Sequence, residues 1–238
     1  MEWRAATTPL IIGHRGASGE APENTMAAFS LARKQEADGV ELDVRLARDE
    51  RVVVMHDSDV ARTTDGRGLV AELTAAELQA LDAGEGEPVP TLDDLFEAFG
   101  PTLLYNVELK DNGLWDDTLA LAVADRVAAH NLENEVVISS FNPLAVRRAR
   151  RHLAHSAMVA LLWHHPLGRL LHHFVPAEAD HPHHTLVDEA YIQWARARGY
   201  RVHVWTVDDP AEAQRLASLG VDAIITNYPA RIRGALRR

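Results

Sequence analysis

The chain has 238 residues, 47% of them hydrophobic and 25% charged, which suits one α/β barrel or two smaller domains around a sizeable core. Its formal net charge of −11 argues against a nucleic-acid partner, which calls for a basic face, and requires a cation or a local basic cluster wherever an anionic substrate binds. The absence of cysteine excludes disulfides, Cys-zinc sites and thiol catalysis.

Met1 to Pro9 carries no apolar signal core, and no run approaches the ~20 apolar residues of a membrane span, so the expectation is a cytoplasmic protein without stable membrane insertion. Leu10 to His14 reads as a strand. Thr25 to Ala37 reads as a helix capped by Asn24 or Thr25 and followed by Gly39. Val40 to Leu46 and Val52 to His56 pattern as strands, and the polar turn Arg48-Asp49-Glu50-Arg51 between them predicts a hairpin. With Asp49 and Glu50 at the tip, Arg48 faces Arg51, and counting back sets Asp43 opposite His56 on a shared face. A slip of one residue turns His56 away. Residues 57–90 read as an irregular insertion with one helix, opened by the capping box Thr74-Ala75-Ala76-Glu77.

Thr91 to Phe99 is the next predicted helix, followed by a strand over Leu103 to Lys110 and a helix over Trp115 to His130. Val136 to Phe141 is a strand, Pro143 to His152 a helix and Ala157 to Trp163 a strand. Residues 164–185 lack clear pattern, apart from a short strand near Ala179 to His181. Asp188 to Arg198 is a helix closed by Gly199, and Arg201 to Val207 a strand. Asp209-Pro210-Ala211-Glu212 opens a helix that Gly220 closes, and Ala223 to Thr226 is the last strand.

Strands alternating with helices imply parallel βαβ units. With Val52 to His56 only a hairpin return, the remaining strands match the eight that close a (β/α)8 TIM barrel. The expected fold is therefore an α/β TIM barrel, one domain over 1–238, with a short insertion at about 57–90. An open doubly wound sheet is the alternative, weakened by the absence of a Gly-x-Gly-x-x-Gly turn after the first strand.

In such barrels chemistry sits where strands end. Strand alternation puts Glu41 and Asp43 on one side of their strand, and Asn106, Glu108 and Lys110 on one side of theirs. Carboxylates converging inside a barrel need compensation, which a hard divalent cation, Mg2+ or Ca2+, supplies through oxygen ligands. Pairing with Arg45 or Lys110 is the competing account; the matching heights of Glu41, Asp43 and Glu108 favour the metal. His14 and His56, with ordinary pKa values near ~6.5, are candidates for a general acid and base. Arg15 and Lys110 offer positive charge for a phosphate group, and charge balance for the acids is their structural alternative. His181 is a candidate for lining the pocket. Trp163 to Phe174 mixes histidine pairs with large apolar residues; a packed loop with exposed histidines is favoured over a lip that touches an alcohol, an acyl group or a membrane.

Seven segments together resemble the glycerophosphodiester phosphodiesterase family, related to the phosphatidylinositol-specific phospholipase C barrels. They are Gly13-His14-Arg15-Gly16, Pro22-Glu23-Asn24-Thr25, Val40-Glu41-Leu42-Asp43-Val44, His56-Asp57, Val107-Glu108-Leu109-Lys110, Ser139-Ser140-Phe141 and Val204-Trp205-Thr206-Val207. The resemblance implies a TIM barrel that hydrolyses a glycerophosphodiester to sn-glycerol 3-phosphate and an alcohol. It implies that His14 and His56 are the acid-base pair and that Glu41, Asp43 and Glu108 hold Mg2+ or Ca2+. It further implies that Arg15 and Lys110 hold the phosphate, that Trp205 packs on the glycerol, and that the glycerol 2-hydroxyl attacks phosphorus to give a cyclic phosphate. One departure is Asp208, where the family commonly has Asn. The implied partner is a small glycerophosphodiester, with no nucleic acid and no assigned oligomeric state. Two other readings are a lysophospholipase D acting on acylated glycerophosphodiesters and a non-catalytic barrel that binds phosphate esters.

Overall fold

The computed structural model describes residues 3, 9–110, 116–165, 175 and 177–237. Its parallel strands are β1 (Leu10–His14), β2 (Gly39–Leu46), β4 (Leu104–Leu109), β5 (Val136–Ser140), β6 (Met158–Trp163), β7 (Ala179–Pro182), β8 (Arg201–Val204) and β9 (Ala223–Thr226). They run in the order β1-β9-β8-β7-β6-β5-β4-β2, and β1 pairs again with β2, so the sheet closes as an eight-stranded barrel. The remaining strand, β3 (Val52–Val54), is an antiparallel appendage on β2. The expected α/β TIM barrel is the fold observed.

The hairpin register differs from expectation. Val44 faces Val54 and Leu46 faces Val52, one residue away from the predicted pairing. The cause is the turn. Glu50 N–H donates to the Ala47 carbonyl (3.0 Å), Ala47 N–H donates to the Arg51 carbonyl (2.9 Å), and Glu50 takes the left-handed region at φ 61°. Three residues, Arg48 to Glu50, therefore form the loop instead of two, which is the type I turn plus left-handed residue found in three-residue hairpins. Asp43 thus exchanges its backbone with Met55, whose N–H donates to the Asp43 carbonyl at 2.9 Å, and β3 ends before His56.

The helices are α1 (Met26–Lys34), α2 (Ala75–Gln79), α3 (Leu92–Phe99), α4 (Thr118–Ala129), α5 (Pro143–His152), α6 (Glu189–Arg196), α7 (Pro210–Leu219) and α8 (Pro229–Leu236). Thr25 caps α1 by accepting from Ala28 N–H, and the helix ends at Lys34, three residues short of the expected Ala37, where Glu36 turns to φ 60°. Both Thr74/Glu77 and Thr91/Asp94 form complete capping boxes. Asp209 caps α7 and Gly220, at φ 87°, closes it in the left-handed conformation that glycine favours. Helix α8 has no clear apolar pattern to announce it: its Arg-rich surface leaves only Pro229 and Ile232 buried.

Three apolar clusters divide the work. One lies between the barrel and its helices, from Ile11 and Phe29 round to Ile232. A second fills the barrel below its mouth with Leu10, Ile12, Leu104, Val137, Met158, Ala160, Ala179, Ala223 and Ile225, and Trp3 plugs its lower end. Trp3 stacks on His203 at 5.0 Å and donates Nε1–H to the Glu135 carbonyl at 2.7 Å. The third, around Val53, Met55, Val60, Val70 and Leu78, gives the insertion a core of its own against the β2–β3 hairpin. Among the described residues no helix is long and apolar enough to cross a membrane.

Candidate active site

The first strand ends in a turn that only certain residues permit. Arg15 adopts φ 54° and Gly16 φ 84°. A Cβ on Gly16 would lie 2.5 Å from the Ala28 carbonyl carbon, and one on Gly13 would lie 2.7 Å from the Gly16 oxygen. The glycines therefore let the chain reverse tightly against α1 while Arg15 accepts a conformation uncommon for a side-chain-bearing residue. In this turn Arg15 points its guanidinium inward. Its backbone N–H donates to Glu41 Oε2 (3.0 Å), its Nη1 to Glu23 Oε1 (2.8 Å), and its Nε lies 3.1 Å from Asp43 Oδ2.

Parallel register brings the acids together. Glu41 is the partner of His14 on β1 and of Asn106 on β4, while Asp43 is the partner of Glu108 one layer higher. Oxygen atoms of Glu41, Asp43 and Glu108 all lie within 4.8 Å of one another, and all three residues are buried. Lys110 Nζ stands 2.5 Å from Glu108 Oε1 and 3.0 Å from Asp43 Oδ1. The second contact has ion-pair distance without hydrogen-bond alignment, so Asp43 Oδ1 is buried with no hydrogen bond. Asn24 Nδ2 donates to the other oxygen, Oδ2, at 2.8 Å.

The electrostatics separate the three acids. Burial, then the charges of Asp43 and Glu108, raise Glu41 well above the usual carboxylate range. Burial and the Asp43 charge push Glu108 up to about 7. Burial also opposes ionisation of Asp43, but Lys110 and Arg15 outweigh it and hold Asp43 low. Burial works against the Lys110 ammonium, and Asp43 and Glu108 reverse that effect, so its pKa is raised. Three buried oxygen donors, one acceptor without a hydrogen bond and two carboxyls reluctant to ionise alone fit a hard divalent cation.

Both predicted histidines face this cluster, by different routes. His14 Nε2 lies 3.9 Å from Glu41 Oε2, and its Nδ1 is bonded to Asn227 Oδ1 at 2.7 Å. His56 does not arrive by cross-strand pairing with Asp43, as the predicted register required. It leaves the end of β3 and is held in the following turn, where Arg45 donates to its carbonyl through Nε (3.0 Å) and Nη2 (2.7 Å). Its Nδ1 lies 2.6 Å from Asp57 Oδ1. A hydrogen bond from Arg62 holds Asp57 down to about 2, so the carboxylate accepts and Nδ1 carries the proton. Burial lowers the pKa of both His14 and His56.

Together His14, Arg15, Glu41, His56, Asn106, Glu108, Lys110, Phe141 and Trp205 line a cavity of about 210 Å³ at the barrel mouth. A larger hollow of about 300 Å³, beside it under the insertion, is lined by Arg45, Leu46, Ser58, Leu69 and Val70 and lacks convergent acids. One wall of the acidic cavity is aromatic: Phe141 meets Trp205 edge to face at 5.3 Å and Lys110 Nζ lies 6.0 Å from its centroid.

His181 stands apart from the other predicted residues. It is fully buried below the cavity, where Nε2 meets His203 Nδ1 at 2.8 Å, and it is not part of the wall. Only its carbonyl reaches towards the site, accepting from Trp205 Nε1–H at 2.8 Å. In a short strand, alternation alone could not separate a mouth residue from one a layer down. Sequence reasoning noted Asn227 at the end of the last strand but gave no role to it, to Asn24 or to the arc Asp57–Arg62–Glu23 that joins His56 to Arg15. The segments Pro22-Glu23-Asn24-Thr25 and His56-Asp57 carried Glu23, Asn24 and Asp57, and only Arg62 went unmarked. Of the Trp163 to Phe174 stretch, residues 166–174 lie outside the described residues; His164 meets Phe141 edge to face at 5.8 Å.

The sequence profile of the Glycerophosphoryl diester phosphodiesterase family matches residues 14–231. The chain belongs to that family. A glycerophosphodiester phosphodiesterase from Caldanaerobacter subterraneus is 35% identical over 239 residues, covering 96% of this chain and 98% of the relative. One from Bacillus altitudinis is 30% identical, covering 93% and 95%. Among solved structures, an Oleispira antarctica phosphodiesterase in complex with the product sn-glycerol-3-phosphate superposes with a TM-score of 0.89 at 30% identity, covering 97% of this chain and 98% of that one. Family membership and barrel fold agree with the resemblance carried by the seven motifs.

Proposed function

We propose that the chain, acting as a single barrel domain, is a metal-dependent phosphodiesterase that hydrolyses small glycerophosphodiesters to sn-glycerol 3-phosphate and an alcohol. The observation that carries this reading is the convergence, in one cavity, of a buried carboxylate trio with two imidazoles whose Nδ1 atoms are both engaged. Each ring is left with Nε2 for chemistry. The relative solved with sn-glycerol-3-phosphate supports the choice of substrate.

Glu41, Asp43 and Glu108 would hold Mg2+ or Ca2+, which when bound polarises oxygen ligands and offsets developing charge. Arg15 and Lys110 neutralise the phosphodiester anion against an otherwise acidic chain. One imidazole takes the proton from the glycerol 2-hydroxyl as its oxygen bonds to phosphorus. The other gives a proton to the alcohol oxygen as the bond from phosphorus to that oxygen breaks. Water then opens the cyclic phosphate with the proton transfers reversed, leaving sn-glycerol 3-phosphate. Trp205, fixed by the His181 carbonyl, packs on the glycerol carbons.

Release of glycerol 3-phosphate from glycerophosphocholine, followed by a coupled dehydrogenase assay, tests the reading. Activity should vanish on thorough chelation and return with Mg2+ or Ca2+. Turnover that survives chelation removes the metal from the account.

A further inference from the structure

Arg62 belongs to the insertion and lies outside the cavity wall, yet its side chain reaches towards both sides of the site. Its Nη1 donates to Glu23 Oε2 at 3.0 Å and its Nη2 to Glu23 Oε1 at 2.8 Å, a two-pronged grip on one carboxylate. The same Glu23 Oε1 accepts from Arg15 Nη1 at 2.8 Å. The Nε–H of Arg62 turns to a second carboxylate and donates to Asp57 Oδ2, while Asp57 Oδ1 lies 2.6 Å from His56 Nδ1. One guanidinium thus joins Arg15 to His56 through two carboxylates. Burial opposes ionisation of Glu23, but Arg62 and Arg15 outweigh it and hold its pKa low, so the carboxylate accepts from both.

The insertion fixes where that guanidinium stands. Arg62 ends a short 3₁₀ turn, Val60–Arg62, which Asp59 caps by accepting from Ala61 N–H. Val60 is fully buried in the insertion's own core, and its N–H donates to the Gly68 carbonyl at 3.0 Å. The insertion also meets the segment after β1 at two other points. Glu87 Oε2 accepts from Ala27 N–H in the first turn of α1 at 3.0 Å, and a Cβ on Gly84 would lie 3.0 Å from Pro22 Cβ. A lone exposed ion pair contributes little. Here the fork is carried by a packed turn, and both of its sides are engaged.

We propose that Arg62 is a positioning residue that fixes His56 through Asp57 and Arg15 through Glu23, so that the insertion sets the spacing between the two. The proposal rests on the reading above that His56 moves a proton and Arg15 holds the phosphate. Loss of the fork frees both carboxylates, with different consequences. Asp57, no longer anchored at Oδ2, turns away from His56 and leaves the ring without a fixed tautomer. Glu23 keeps its charge beside Arg15 but loses its other cation, which weakens the attraction of that region for an anion. The first effect falls on turnover and the second on binding of the phosphate. A lysine keeps the charge, but its single ammonium cannot reproduce a planar fork whose sides meet two different carboxylates.

The test is a pair of double-mutant cycles that measure kcat on glycerophosphocholine and the inhibition constant of sn-glycerol 3-phosphate. Arg62→Gln should lower kcat by ~10- to 100-fold and weaken binding of the product. In an Asp57→Ala background R62Q should lower kcat no further, yet still weaken product binding. In a Glu23→Ala background it should leave product binding alone, yet still lower kcat. Full losses in both backgrounds, or native values in R62Q, overturn the proposal. Where R62Q does not stay folded at the assay temperature, R62K goes through the same cycles with the same expectations. Long-range ¹H–¹⁵N imidazole correlations follow the ring directly, with the His56 signals assigned by their loss in His56→Gln. The native chain should show Nδ1–H alone and R62Q both tautomers; Nδ1–H alone in R62Q overturns the proposal. Failure of the underlying reading is recognised separately: His56→Gln would then turn over at the wild-type rate, while the correlations of the native chain and R62Q still report on Arg62.

Discussion

Cation binding at the carboxylate trio should release protons, and the structure sets which groups supply them. Without a cation, Glu41 sits well above the usual carboxylate range and Glu108 is pushed up to about 7, whereas Asp43 stays ionised beside Lys110 and Arg15. Near pH 6.5 Glu108 therefore holds its proton more readily than a free carboxyl does, and Glu41 is shifted in the same direction. A divalent cation needs all three as anions, so binding at this pH should expel protons from the two glutamates and none from Asp43. By linkage, each expelled proton weakens apparent affinity by up to ~10-fold, or ~1.4 kcal/mol, per pH unit of acidification. Calorimetric titration of Mg2+ or Ca2+ in buffers of different ionisation enthalpy gives the number directly. Repeating it from pH 6 to 8 should show affinity rising steeply and then levelling as the two glutamates ionise. No proton release at pH 6.5, with affinity flat across the range, would refute the electrostatic reasoning.

Substitutions in the trio should split in sign. Glu41→Gln removes a buried carboxyl crowded by two others, so the cation-free protein should keep or gain thermal stability while losing its response to added Mg2+ or Ca2+. Asp43→Asn leaves Arg15 and Lys110 without their shared anion and should destabilise by ~3–5 kcal/mol in urea titrations. Below the cavity, burial takes the pKa of His181 down to about 3, and burial and His181 take His203 well below the ordinary value. The unfolded chain then binds these protons first, so the urea midpoint should fall as pH drops below ~6.5, by up to ~1.4 kcal/mol per unit for each ring. Glu41 and Glu108, whose raised pKa values make the folded chain bind protons first, oppose this in the same window, so the test is made in E41Q/E108Q, where equal midpoints at pH 7 and pH 5 would contradict it. Gly16→Ala should cost ~1–3 kcal/mol, since φ 84° and a contact of 2.5 Å both oppose a side chain.

Much of this architecture was legible because it depends on local rules. Period-two strands, capping boxes at Thr74 and Thr91, and the left-handed stop at Gly220 each act over a few residues. The carboxylate trio was legible too, since alternation on β2 and β4 fixes which faces meet once the barrel closes. What escaped depends on single-residue choices made in three dimensions. The loop Arg48–Glu50 spends one more residue than its composition suggested, which moved the whole β3 register and sent His56 to the site by a different path. His181 and Trp205 both belong to the barrel interior, yet only the latter reaches the mouth. The role of Asn227 was hidden because it lies in a hydrogen bond to a residue 213 positions away.

The most direct test of the central claim is a ³¹P NMR time course of glycerophosphocholine with Mg2+ or Ca2+, run on the native chain, His14→Ala and His56→Ala. The native chain should convert the diester to sn-glycerol 3-phosphate, and each variant should do so at least ~100-fold more slowly. Wild-type rates in either variant, or phosphocholine as the phosphorus-bearing product, would contradict it.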